Sequence, residues 1–143
     1  MARKSSHQIS HTGLDRTRRS ELHYAVCDRN FERVKELIRL GSDVNLPDRN
    51  GWTPLHFAAQ NYDERMARLL LDSGASVDPR DINGNTPLST AVFNSHGRPE
   101  LIELLRERGA DATSINNFGV SPLRLARTIA NYDVAQFFRD LCD

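Results

Sequence analysis

The chain has 143 residues, with nineteen basic and nineteen acidic side chains and no formal net charge, which argues against nonspecific binding of nucleic acid or membrane by the whole surface. That length suits one domain without a separate catalytic module. It holds neither the apolar h-region of a secretory signal nor the run of about 20 apolar residues that spans a bilayer, so a cytoplasmic protein is expected.

Residues 1–14 read as a flexible basic tail. Arg3 and Lys4, followed by Arg16, Arg18 and Arg19, face only Asp15, and Ser, His, Thr and Gly fill most of the rest. His7 and His11 have the i, i+4 spacing of metal ligands but lie among polar residues without Cys or acidic companions, so no metal is expected.

From residue 15 onward the chain is written in units. The tetrapeptide Ser20-Glu21-Leu22-His23 returns as Thr53-Pro54-Leu55-His56, Thr86-Pro87-Leu88-Ser89 and Ser121-Pro122-Leu123-Arg124, with starts 33, 33 and 35 residues apart. A fixed period of that size marks one supersecondary unit copied along a solenoid. Units are expected at about 15–47, 48–80, 81–115 and 116–143. In the first, Arg18 stands where a turn glycine is expected, and Arg33 and Glu36 occupy inner positions, as suits an N-terminal cap with a polar outer side.

The second unit is the clearest. Asn50-Gly51 suits a turn that needs positive φ, Thr53 is a helix N-cap, and Pro54 fits the first helical position, where a missing N–H costs nothing. The small stripe Leu55, Ala58, Ala59 lets a second helix bearing Met66, Leu69 and Leu70 approach, and Gly74 ends that helix. The third unit repeats this with Asn83-Gly84, the apolar set Leu101, Ile102, Leu104, Leu105, and Gly109. Two extra residues fall in its Asn94–Pro99 stretch, where Pro99 can open the second helix; they read as a tolerated insertion or a partner-contacting bump. The fourth unit has Asn117-Phe118-Gly119 and a final helix with Val134, Phe137 and Phe138, in which Arg139 marks a C-terminal cap.

The segments 48–59 and Gly41-Ser42-Asp43-Val44-Asn45 resemble the ankyrin repeat, with its D-x-x-G-x-T-P-L-H-x-A-A core and G-A-D-V-N loop. The resemblance implies an all-α ankyrin-repeat solenoid of helix-turn-helix units joined by β-hairpin loops. It also implies that His23 and His56 are structural, each bonding the preceding hydroxyl and neighbouring backbone. Cys27 and Cys142 then fall at opposite ends of the stack, too far apart for a disulfide, with Cys27 a half-buried inert thiol. No phosphate loop, nucleophile elbow or zinc-protease signature is present. An enzyme is not expected, nor a cofactor.

The resemblance further implies a concave partner-binding face made of hairpin tips and the exposed side of the first helices. On this chain that face maps to Arg49, Asn50, Trp52, Gln60, Asn61, Ile82, Asn83, Asn85, Phe93, Asn94, Asn117, Phe118 and Val120. Large apolar groups at such positions have no evident core to join, and clustered exposure of this kind marks an interface. Trp52 and Arg49 are the expected anchors, with truncation of Trp52 lowering binding by roughly 2 kcal/mol or more.

The expected function is a non-catalytic module that blocks or stabilises a partner protein, such as a toxin or enzyme, and is monomeric before binding. Arg supplies seventeen of the nineteen basic residues, a bias that fits a GC-rich bacterial coding sequence. A stand-alone stack of that kind looks like the immunity proteins that neutralise toxins. The alternatives are a signalling adaptor or, in a different class, nucleic-acid binding through the basic N-terminal edge, against which the absence of net charge argues.

Overall fold

The computed structural model describes residue 14 and residues 16–141. Most of the expected tail, with His7 and His11, lies outside the described residues, as do Asp15 and Cys142. Four positions start a helix by the same local chemistry. Ser20, Thr53, Thr86 and Ser121 hold extended backbone (φ −88 to −101°, ψ 163 to 171°), and in the last three Pro follows at the first helical position. The helices they open are α1 (Glu21–Cys27), α3 (Pro54–Gln60), α5 (Pro87–Asn94) and α7 (Pro122–Thr128).

Each is followed by a partner: α2 (Phe31–Arg39), α4 (Glu64–Asp72), α6 (Glu100–Glu107) and a terminal 3₁₀ helix (Val134–Phe138). The Asn30 and Asp63 side chains cap α2 and α4 by accepting the N–H groups of Arg33 and Met66. At their far ends Gly41, Gly74 and Gly109 adopt φ of 94 to 101°, and the next N–H reaches back to Leu37, Leu70 and Leu105. The turn from first to second helix uses the same left-handed geometry without glycine, at Arg29 (φ 59°) and Tyr62 (φ 49°).

The first helices form one row, with α3 against both α1 and α5 and α5 against α7, while α4 packs on α6 behind them. Leu55, Ala58, Ala59, Met66 and Leu70 are buried to 1% exposure or less, as are Leu101, Ile102 and Leu105. The small alanines bring the two rows close enough for these side chains to interdigitate. No described helix is long and apolar enough to cross a membrane.

Successive units are joined at their turns by single backbone hydrogen bonds, Arg49 N–H to Thr17, Ile82 to Asn50 and Asn117 to Asn83, rather than by strands. Within each turn an acid or amide organises the backbone. Asp48 Oδ1 accepts the N–H groups of Asn50 and Trp52, Asp81 those of Asn83 and Asn85, and Asn116 those of Phe118 and Val120. Arg18 holds φ 63°, the conformation that Gly51 supplies in the next unit at φ 79°. The first turn therefore keeps the shape without the residue that favours it.

Pro99 opens α6 as its N-cap, with helical dihedrals and its carbonyl accepting Glu103 N–H. One expectation needs correction. The final apolar segment is a five-residue 3₁₀ helix, not an α-helix. Arg139 bonds the Asp133 carboxylate, which in α4 is the role of a backbone amide toward Asp63, and Val134, Phe137 and Phe138 are weak helix formers. Arg106 pins this segment by two bonds to Asp140 (2.8 and 2.7 Å) and one to the Phe137 carbonyl.

The Asn94–Pro99 insertion is anchored rather than loose. Tyr62 Oη–H donates to the Arg98 carbonyl and accepts from Leu101 N–H, the Arg98 guanidinium lies 4.4 Å from the Tyr62 ring, and Gly97 sits against Tyr132.

Candidate functional site

In the first three units the position just before the Ser/Thr cap binds the turn of the following unit. Arg19 Nε donates to Asp48 Oδ2 (3.0 Å), Trp52 Nε1 to Asp81 Oδ2 (3.0 Å), and Asn85 Oδ1 accepts from Asn116 Nδ2 (2.9 Å). Trp52 also stacks on His56 at 5.3 Å and meets Phe57 edge-on at 5.0 Å. The expectation that Trp52 has no core to join is therefore corrected. Its indole holds one turn onto the next, and only part of its ring faces outward.

The two histidines stitch units together in the same way. Thr53 N–H donates to His56 Nδ1 (3.1 Å), so Nε2 carries the proton and donates to the Asn85 carbonyl (3.0 Å). His23 repeats this between Ser20 N–H and the Trp52 carbonyl. Burial holds both imidazoles below their ordinary range.

In the third unit Ser89 replaces that imidazole. The Thr86 hydroxyl, buried like its equivalent Thr53, is left without a hydrogen-bond partner. Asn85 also replaces Trp52, so a ring pair that fills the second unit is absent from the third. The space opens as a groove of about 490 Å3. Its walls are Trp52, Gln60, Asn85, Ser89, Thr90, Phe93, Asn94, Asn116, Phe118, Val120 and Leu125. Phe93 is 70% exposed and Phe118 74%.

Seven of the expected residues line this groove: Trp52, Gln60, Asn85, Phe93, Asn94, Phe118 and Val120. The others do not. Asn61 Nδ2 donates to the Cys27 carbonyl while its own carbonyl accepts from Arg29, so it bridges α1 and α3. Asn117 Nδ2 donates to the Ile82 carbonyl, tying adjacent turns. Arg49, Asn50, Ile82 and Asn83 stand exposed at the turn tips outside the lining, and Arg49 Nε donates to the Arg16 carbonyl. Sequence reasoning missed Ser89, Thr90, Asn116 and Leu125. The departure of Ser89 from the His of the preceding units was the available signal for the groove's floor.

Among the described residues no group of three or more His, Cys, Asp and Glu side chains comes together as a metal site. Cys27 is exposed, which corrects the half-buried thiol expected for it.

A family model described as "Ankyrin repeats (3 copies)" matches residues 22–116, well over half of the chain. The chain belongs to the ankyrin-repeat family. That family is a non-catalytic interaction fold, which makes this chain a protein–protein interaction module. The chain is also 57% identical over 35 residues to "Potassium channel AKT1" of Arabidopsis thaliana, a stretch covering 24% of this chain and 4% of that protein. The shared stretch is about as long as one ankyrin repeat, and this chain spans a very small part of its relative.

Proposed function

We propose that this ankyrin-repeat protein is a non-catalytic module that recognises a partner protein through the groove over α5 and α7 and acts by covering part of the partner's surface. One observation carries the reading. A preformed concavity of about 490 Å3 lies between Phe93 and Phe118, both more than two-thirds exposed, with amide and hydroxyl groups between them. Concave, largely apolar sites with a few convergent polar groups are where proteins bind ligands, and a rigid groove loses little ordering entropy on binding. The module is proposed to be monomeric before binding and cytoplasmic, with its four helix pairs as four repeats. The narrower form of the reading is a toxin-neutralising inhibitor.

The test is affinity capture from lysate of the source cells with the tagged chain, read by mass spectrometry, beside Phe93→Ala/Phe118→Ala and a control altered on α6, Glu103→Ala. The reading expects one stoichiometric protein retained by the native chain and the α6 control and lost from the groove variant. Equal retention by all three would overturn it. Toxicity of the captured partner when expressed alone separates an inhibitor from an adaptor. Trp52→Ala is unsuitable as the groove variant, because its indole also carries the turn ladder.

A further inference from the structure

We infer that the groove's occupant is a segment of another protein that inserts a large apolar side chain and presents carboxylates to the turn edge beside it. This rests on the protein-binding reading above and names the partner's chemistry. No residue of the groove lining is charged, although charged residues make up 27% of the chain. An apolar side chain matches Phe93, Phe118, Val120 and Leu125, whereas a charge buried there would lose its water and gain no counter-charge.

The turn edge has the opposite character. Arg80 lies against Gly84 and Arg124 donates to the Gly119 carbonyl, at the two turns that supply Asn85, Phe118 and Val120 to the groove, and the exposed Arg49, Arg18 and Arg16 continue this edge along the earlier turns. None of these guanidiniums bonds a carboxylate among the described residues; Arg80 reaches the Ser114 hydroxyl instead. Asp48 and Asp81, the acids of the second and third turns, point inward. Asp48 is 6% exposed, with Oδ2 on Arg19, and the Asp81 carboxylate takes two backbone N–H groups and the Trp52 indole. Elsewhere, by contrast, Arg33, Arg68, Arg106 and Arg108 each meet a carboxylate at 2.5 to 2.9 Å. Cations without a carboxylate partner among the described residues, along the turns that edge a neutral apolar groove and the turns before them, select an acidic and apolar partner and speed its encounter. A single-stranded nucleic acid would need cations following its backbone through the groove, and the far wall offers only Gln60, Thr90 and Asn94.

The test pans a random peptide library displayed on phage against the immobilised full chain, then measures the enriched peptide by fluorescence anisotropy. Enrichment of Asp and Glu around Phe, Trp or Leu is expected. Arg49→Ala/Arg80→Ala/Arg124→Ala should weaken that peptide about tenfold, as three partly exposed charge pairs together would. Ser89→His, which fills the groove floor, should weaken it as well, and affinity should fall as salt rises from about 50 to 200 mM. Enriched peptides without acidic bias, yet lost in Phe93→Ala/Phe118→Ala, would overturn the charge inference and leave the groove reading standing. Tighter binding of an oligo(dT) strand than of any peptide would overturn the inference in favour of nucleic acid. No enrichment of any peptide would overturn both.

Discussion

Asn45 and Asp78 occupy equivalent places after the second helix of successive repeats, and only one of them suits that place. Asn45 Oδ1 accepts Ser76 N–H at 2.7 Å while its Nδ2 donates to the Gly74 carbonyl at 3.2 Å, so both ends are used. Asp78 Oδ2 accepts Asp111 N–H at 3.0 Å, but its Oδ1 is buried without a partner. By the repeat's geometry this second oxygen stands where an amide would reach the Gly109 carbonyl. Burial accordingly pushes the Asp78 carboxyl above its ordinary range. Asp78→Asn supplies the missing donor and removes the stranded acceptor. One intramolecular hydrogen bond gained adds about 1 kcal/mol, equivalent to about 4 °C in Tm for a domain of this size.

The pH dependence gives that reasoning a sharper edge. A carboxyl whose folded pKa lies above its unfolded value of about 3.9 contributes fully below that value and loses its contribution as pH rises through the folded pKa. The advantage of Asn over Asp should therefore be small near pH 3 and reach its full size by neutrality. Urea denaturation of both proteins at acid and neutral pH reads it directly. An Asn variant no more stable than the native chain at pH 7, or equally favoured at both pH values, would refute the argument.

Ser89→His should return an imidazole to the third repeat, donate to the Val120 carbonyl as His56 does to Asn85, and raise stability by about 1 kcal/mol while closing the groove to a partner; denaturation and binding assays on one preparation check both. Trp52→Phe keeps an aromatic ring over His56 but deletes the donor to Asp81, so unfolding free energy should drop by about 1.5–3 kcal/mol, the range for a bond to a charged group. Acid should weaken the stack through His23 and His56. Their folded pKa values lie below the unfolded value of about 6.5, so their contribution is complete above that value and declines as pH falls through it, by up to about 1.4 kcal/mol per pH unit for each imidazole. A flat stability profile between about pH 7 and 5.5 would contradict this, and His23→Gln/His56→Gln should flatten it.

Much of the fold was legible because its punctuation acts locally. Thr53 with Pro54 starts a helix and Gly74 ends one for reasons that need no tertiary contact, and Leu55, Met66 and Leu70 pack as their spacing implies. Left-handed backbone at Arg29 and Tyr62 was not legible, since neither residue favours it and only the packed helix pair imposes it. The 3₁₀ form of the final helix was not legible, because helix periodicity does not register that Asp133 makes no cap bond to the backbone of the kind that Asn30 and Asp63 make. The candidate groove was half legible. Exposed Phe93 and Phe118 follow from their positions in the repeat, whereas the inward role of Trp52 depends on an acceptor 29 residues away, at Asp81. Asn61 was misread for a related reason: its amide looks free until α1 brings the Cys27 carbonyl within 3.0 Å.

The most direct measurement is hydrogen–deuterium exchange of the chain, alone and with its captured partner, followed peptide by peptide. Added protection is predicted across α5, the 116–120 turn and the start of α7, with α4 and α6 unchanged. Protection confined to the outer helices, or absent from 85–94 and 116–125, would contradict the claim that this groove is the binding site.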